Sequence, residues 1–329
     1  MSNIVVTGAA GLFGSHFSRF LTSQGHSVMG IDDLSGGFES SIDRESLFVK
    51  MNLLNSAGLS EVFKNFNPDY VYHFAAYAAE GLSPFIRNFN YSNNVLCSVN
   101  VINECIKNNV EKVIFTSSMA VYGEGNPPFK EDQRPNPEDP YGIAKYAVEL
   151  DLETARKQFG LRYSIVRPHN VVGVYQNIWD RYRNVIGIWI RKIINKEPIT
   201  VFGDGTQVRA FSDIEFYMSP LLSLTDSHDY ETFNIGADKE YTILEAAKML
   251  QDVSRDFGFD PEIVHLEKRN EVHTAYCDHT KAKNLLGFED NTDLKETMRK
   301  MFSWALSQPQ REVKTMDYEI EKGIYSFWK

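Results

Sequence analysis

Thr7-Gly8-Ala9-Ala10-Gly11-Leu12-Phe13-Gly14 is the stretch that decides how this chain folds. A short apolar strand, Ile4 to Val6, runs into it. After it, Phe13, Phe17, Phe20 and Leu21 recur with the period of a helix that buries one face, and Gly25 ends that helix. Glycines three residues apart between strand and helix allow a tight turn and the close approach of a pyrophosphate, while Gly14 lets the helix pack on the sheet. The helix N-terminus offers free backbone N–H groups and the positive end of a dipole. The second strand, HSVMGID, ends on Asp32, some two dozen residues after Gly8. A carboxylate there suits the ribose hydroxyls of adenosine and repels a 2′-phosphate, so the turn reads as a site for NAD rather than NADP. The cofactor-binding candidates here are Gly8, Gly11, Leu12, Phe13, Gly14, Asp32 and the following Asp33.

Outward from that turn, strands and helices alternate. The helix LSEVFKNF, the strand YVYHFAA, a helical stretch over 91–108 and the strand EKVIFTSS follow in order. A polar, proline-rich loop at 124–140 then leads to a long helix from about 141 to 159 and the strand RYSIVRP. This alternation predicts an α/β fold, a Rossmann-type doubly wound parallel sheet covered on both faces. Beyond Gly173, helices near 186–196, 242–257, 280–286 and 293–307 predict a smaller, mostly helical C-terminal substrate domain. The expected division assigns 1–175 with a return segment, 211–240, to the NAD-binding domain, and 176–210 with 241–329 to the substrate domain. The tail 308–329 has no clear period, and its IYSFWK end is expected to pack on the protein.

Composition narrows the partners. Lysine plus arginine number 34 against 44 aspartate plus glutamate, a net charge of −10, with no basic block, so a nucleic-acid backbone is a poor partner. Cys97, Cys105 and Cys277 are too few and too scattered for a disulfide scaffold, and neither they nor the eight histidines show metal-ligand spacing. No stretch approaches the ~20 apolar residues of a membrane span, and the first residues do not resemble a leader. A cytoplasmic setting with no metal, no membrane and no nucleic acid is the expectation.

The chemistry gathers between 117 and 145. One strand ends in Ser117-Ser118, and Tyr141 and Lys145 follow at i and i+4 on one helical face. An ammonium near a phenol favours phenolate, as does a positive nicotinamide. A poised phenolate takes the proton of a sugar hydroxyl as hydride leaves the same carbon, and Ser118 holds that oxygen. Gly142 lies near the helix start, where its low helix propensity costs less and a close ligand approach would explain it.

TGAAGLFGS, HFAA, SSMAVYG, YGIAK, RPHN and FGDGTQVRAF occur here in the order seen in extended short-chain dehydrogenases/reductases that act on nucleotide sugars. The resemblance is strongest to the UDP-glucose (UDP-galactose) 4-epimerase group and leaves out only the last 20 or so residues. It implies Tyr141 as catalytic base with Lys145 and Ser118 as partners. It implies cofactor contacts from Phe74, Ala75 and Ala76, from Asn93, from Asn52 and Leu53 around adenine, from Ser117, and from Pro168 and His169 beside the nicotinamide. His169 also reads as a packed loop histidine. Asn170, Arg209 and Arg269, with Ser118, are the implied substrate contacts, although the run Arg269-Asn270-Glu271-Val272 lacks the family's glycine. Related 4,6-dehydratases carry an Asp-Glu pair, and UDP-glucuronate decarboxylases a glutamate, where this chain has Met119 and Ala120. Hydride removal and return without an added acid or base fits C4 epimerisation of a UDP-hexose.

Three readings stand. The first is an NAD-dependent UDP-hexose 4-epimerase. The second is a related epimerase or reductase acting on a uronate, N-acetylhexosamine or deoxysugar. The third is a non-catalytic NAD-binding sensor or scaffold, against which intact Ser118, Tyr141 and Lys145 count. The segment 176–184 is expected to cover the sugar nucleotide. The resemblance further implies a homodimer built on the 91–108 and 141–159 helices.

Overall fold

The computed structural model describes residues 1–269 and 271–328, leaving Asn270 and Lys329 outside the described residues. Its central sheet contains β1 (Asn3–Thr7), β2 (Ser27–Asp32), β3 (Leu47–Lys50), β4 (Tyr70–His73), β5 (Lys112–Thr116) and β6 (Tyr163–Pro168), and a seventh strand, Thr232–Ile235, at one edge. The order is Thr232–Ile235, β6, β5, β4, β1, β2, β3, and every pairing is parallel. Chain direction across the sheet reverses between β1 and β4, and a crevice opens at the carboxyl ends of strands at such a reversal.

Alternation along the strands explains the two-sided burial. Ile4, Val6, Tyr72 and Ile114 pack on one face with Phe17 and Leu21 from α1 (Leu12–Ser23). Val5, Val71, Val113 and Phe115 pack on the other with Leu59 and Phe63 from α2 (Ser56–Phe66). Full burial of each such side chain contributes about 1.5–3 kcal/mol. The expected 91–108 helix is three pieces: α3 (Arg87–Tyr91), a wider π turn at Ser92–Leu96, and α4 (Cys97–Lys107). The long helix α5 spans Pro140–Phe159, with Asp139 capping its start and Gly160, at φ +73°, ending it.

The second unit is built around helices Val185–Ile194, Ile243–Arg255 and Leu294–Leu306. Short strands accompany them: Ile199–Phe202 pairs with Ile263–Leu266, and Val208–Ala210 lies between Glu240–Thr242 and Thr274–Ala275. The helix Thr280–Leu286 stands apart from this unit, because Ala282 and Leu286 join the core around β1 and β4. The tail crosses back over the first unit, where Ile324 and Trp328 are buried with Leu82 and Phe85.

His73, at the end of β4, is fully enclosed, with Thr7 Oγ1 2.6 Å from Nδ1 and Ser98 Oγ 2.8 Å from Nε2. Burial, reinforced by the Lys145 charge, pushes its pKa down to about 3. Between that value and the unfolded value near 6.5, the unfolded chain binds a proton that the folded chain does not, so this contribution to stability falls as pH falls. His73→Gln is expected to flatten the decline in denaturation midpoint between about pH 6 and pH 4, measured by urea unfolding across that range.

Candidate functional site

A trough opens at the reversal between β1 and β4, and its lining comes from loops that the sheet holds rigidly. Gly8 has φ +72°, and a side-chain carbon there would stand 2.8 Å from Ala75 N. Glycine therefore lets the two strand ends approach each other. A carbon on Gly14 would stand 2.1 Å from Gly8 O, so this glycine seats the helix on the turn. The start of α1 has no side-chain cap and no acidic residue in its first turn, and Gly11, Leu12, Phe13 and Gly14 line the cavity. Uncapped N–H groups at a helix N-terminus suit an anionic pyrophosphate.

Asp32 and Asp33 are fixed by backbone. Asp32 Oδ2 accepts from Ala10 N at 3.0 Å and Oδ1 from Leu34 N at 2.7 Å. Burial raises the Asp32 pKa, and those two N–H groups oppose the rise. Asp33 accepts from Ser35 N and, at 2.7 Å, from Asn52 Nδ2. These carboxylates share their end of the trough with Asn52, Leu53, Phe74, Ala75, Ala76 and Asn93. The donor and acceptor set matches an adenine dinucleotide: ribose acceptors at the tip of β2, apolar walls beside them, and N–H donors at α1.

The trough continues into a cavity of about 750 Å³ lined by Ser117, Ser118, Tyr141, Lys145, Pro168, His169, Asn170, Arg209 and Arg269. Asp139 Oδ1 accepts from Tyr141 N at 2.8 Å and Gly142 N at 3.0 Å, which sets the start of α5. A carbon on Gly142 would meet Ala120 O at 2.6 Å. Close approach of the backbone after Ser118, rather than of a ligand, therefore accounts for this glycine. The Ser118 hydroxyl neighbours the Tyr141 phenol and favours its ionised form. Lys145 Nζ donates to Thr116 O at 2.7 Å and lies 6.0 Å from the Tyr141 ring centre.

The electrostatics differ from the expected phenol lowered by its ammonium. Burial, and then the carboxylate of Glu80, hold the Tyr141 phenol above its ordinary value, while the Ser118 hydroxyl opposes them. Burial also drops Lys145 to about 7, with Glu149 pulling the other way. Protein groups alone thus leave the phenol protonated, and further positive charge is needed to release its proton.

Other expected residues fall into distinct settings. Ser117 Oγ donates to Glu149 Oε1, which also accepts from Arg167 Nε at 2.9 Å. The His169 ring stacks on His279 at 5.0 Å and is pushed down to about 3 by burial. It leaves no room for a side chain at Gly236, where an added carbon would come within 2.0 Å of the ring. Asn170, at φ +42°, donates to Ala210 O at 3.2 Å. Arg209 and Arg269 both reach Glu271 Oε2, at 3.4 and 3.1 Å, and Arg269 lies over the Phe202 ring at 4.1 Å. From 176–184, the residues Gln176, Asn177, Tyr182, Arg183 and Asn184 line the cavity, whereas Asp180 is buried and pairs with Arg183. Among the described residues, no group of three or more His, Cys, Asp or Glu is placed to hold a metal ion.

Three neighbours escape the sequence reading. Arg183 lines both halves of the trough and donates to Gly36 O at 3.2 Å. Glu149 lies one helical turn beyond Lys145, a spacing visible in YGIAKYAVE, but only the fold brings Arg167 against it. Glu80 stands in the cavity wall, and its single trace in the sequence is an acid closely following HFAA.

Comparison with known proteins agrees with this geometry. The structure of UDP-glucose 4-epimerase from Thermotoga maritima with UDP-glucose is 32% identical, with a TM-score of 0.87 covering 92% of this chain and 98% of that one. UDP-N-acetylglucosamine 4-epimerase from Methanobrevibacter ruminantium, in complex with UDP-N-acetylmuramic acid, is 30% identical, with a TM-score of 0.85 over 94% and 99%. UDP-glucuronic acid 4-epimerase from Bacillus cereus, with UDP-glucuronic acid and NAD, is 26% identical, with a TM-score of 0.82 over 92% and 98%. Residues 4–236 match the NAD dependent epimerase/dehydratase family, and this chain belongs to it as an NAD-dependent epimerase.

Proposed function

We propose that the protein interconverts UDP-glucose and UDP-galactose at C4 through a 4-keto sugar. The observation that carries this reading is the Ser118–Tyr141 hydroxyl pair, which shares one cavity with the α1 N-terminus and with Arg209 and Arg269. The similar 4-epimerases described above all act within the UDP-sugar class, which supports the same class here.

In this reading Asp32 and Asp33 hold the adenosine ribose, the N–H groups of Leu12 and Phe13 hold the pyrophosphate, and Lys145 holds the second ribose. Bound NAD supplies a hydride acceptor for C4 and later a hydride donor. Tyr141 takes the proton of the 4-hydroxyl, Ser118 keeps that oxygen in place, and the same proton returns when C4 is reduced. Arg209 and Arg269 exchange Glu271 for the diphosphate, which their guanidinium groups fit. Firm hold on UDP and loose hold on the ring let the keto sugar present either face. The sugar starts and ends at one oxidation level, so no external reductant is consumed.

We also propose a homodimer in the cytoplasm. Ile143 and Leu150 lie seven residues apart on α5, 43% and 54% exposed, and Leu96, next to α4, is 53% exposed. Residues i and i+7 share one helical face, so Ile143 and Leu150 form an apolar strip that a second copy would cover. Among the described residues, no helix is long and apolar enough to cross a membrane.

Incubation with UDP-glucose is expected to yield UDP-galactose without added NADH, resolved by anion-exchange chromatography. A 4-keto product alone would defeat the proposal. Tyr141→Phe is expected to lower turnover about a thousandfold while the protein retains NAD, and undiminished turnover would remove Tyr141 from its role. Light scattering is expected to give twice the chain mass, and Leu150→Asp to shift it toward the monomer.

A further inference from the structure

Glu80 opens the short turn Glu80–Phe85 after β4, and its side chain lines the substrate cavity. Among the described residues, nothing hydrogen-bonds its carboxylate. Its backbone is nevertheless fixed. Ser83 Oγ lies 2.8 Å from Glu80 O and 3.2 Å from Asp139 Oδ1, and it accepts from Tyr141 N at 3.2 Å. The segment carrying Glu80 is therefore tied to the first turn of α5. Glu80, Arg209, Arg269 and Tyr141 line the same cavity, and the Glu80 carboxylate helps to hold the Tyr141 phenol above its ordinary value. In the proposed reaction this cavity holds the sugar, with its diphosphate at the arginines and its 4-hydroxyl at Tyr141. The nearby Asp139 and Glu271 add negative charge, and both arginines already share Glu271.

We infer that Glu80 selects the sugar: its free carboxylate accepts hydrogen bonds from the hydroxyls of a neutral hexose and turns away a hexuronate, whose own carboxylate would meet like charge. This inference rests on the proposed UDP-sugar function. Its setting in the cavity wall and the nearby Asp139 and Glu271 raise Glu80 to about 7, so it is mainly ionised above that pH. A hexuronate bound there would bring a second anion within a few ångströms of Glu80, where like charges disfavour binding by about tenfold or more. A hydroxyl in the same place satisfies an acceptor that the protein leaves unpaired.

The test is calorimetric titration of the NAD-loaded protein at about pH 8, above the Glu80 titration, with UDP, UDP-glucose and UDP-glucuronate in turn. Wild-type protein is expected to bind UDP-glucose at least about tenfold more tightly than UDP-glucuronate. Glu80→Gln should reduce that ratio to about threefold or less, and Glu80→Lys should invert it. Thermal unfolding confirms that each variant is folded, and titration with UDP reports the nucleotide site independently of the sugar. If UDP binds and the ratio is the same in all three proteins, the selection by Glu80 is overturned while the UDP-sugar reading stands. If UDP does not bind to wild-type protein, both are overturned. Deuterium from D2O entering the sugar at a carbon, and lost in Glu80→Gln, would make Glu80 a carbon acid–base and overturn selection by charge.

Discussion

Asp139 Oδ1 is the point at which the site is tied together. It takes the Tyr141 and Gly142 N–H groups and neighbours the Ser83 hydroxyl, so one atom sets the catalytic helix against the Glu80 segment. An aspartate N-cap is worth about 1 kcal/mol to a helix, but here its larger effect is geometric. The carbonyl of Pro140 accepts from Asn90 Nδ2, Asn90 Oδ1 accepts from Asn94 Nδ2, and Asn94 Oδ1 accepts from Tyr77 N. Polar contacts thus run unbroken from the phenol-bearing turn to the loop after β4, which walls the dinucleotide trough. A buried network with every member paired holds one arrangement, because any alternative leaves donors unsatisfied.

Charge is distributed to the same end. In the proposed reading Arg209 and Arg269 supply the local cations that a diphosphate needs in an acidic protein, and Glu271 offsets part of their charge. Replacing that carboxylate by a phosphate oxygen exchanges one charged partner for another and avoids baring two guanidinium groups. Below the phenol, Glu149 pairs with Arg167 at 2.6 Å and partly restores the proton affinity that burial takes from Lys145. The phenol is left high by its own burial. Such a base is idle until positive charge arrives beside it, which couples proton removal to the bound oxidised cofactor.

The parts legible in the sequence are those in which one short stretch carries both a conformation and a chemistry. The turn at residues 7–14 is of this kind, because Gly11 and Gly14 answer contacts with Gly8 itself, although Gly8 also answers Ala75 far along the chain. Tyr141 and Lys145 are legible because one helical turn fixes their relation. β3 is not, since Leu47–Lys50 is a four-residue edge strand with exposed ends and too short for a period. The π turn at Ser92–Leu96 hides inside an otherwise regular helical pattern. Glu80 and Arg183 acquire their setting only when β4, α5 and the second unit converge, and no spacing records that meeting. Gly142 shows the intermediate case: its oddness is visible in the sequence, but the carbonyl of Ala120 that requires it is not.

The tail gives the convergence its rigidity. Glu319 accepts from Asn88 N and Phe89 N at 2.7 and 2.8 Å, holding the start of α3 from outside. The Trp328 ring packs near Gly81, with 3.6 Å left for a side-chain carbon at that glycine, and lies edge-on to Phe85 at 6.0 Å. Lys314 N donates to Trp179 O at 2.8 Å, so the same segment also grips the cavity-covering stretch of the second unit. The residues flanking Glu80 are consequently braced from behind by the C-terminal strap and from the side by Ser83. A carboxylate on a mobile loop would swing into solvent when an anion approached, and its charge would be screened. The braced backbone keeps Glu80 in the cavity wall, where the proposed selection acts on the bound sugar.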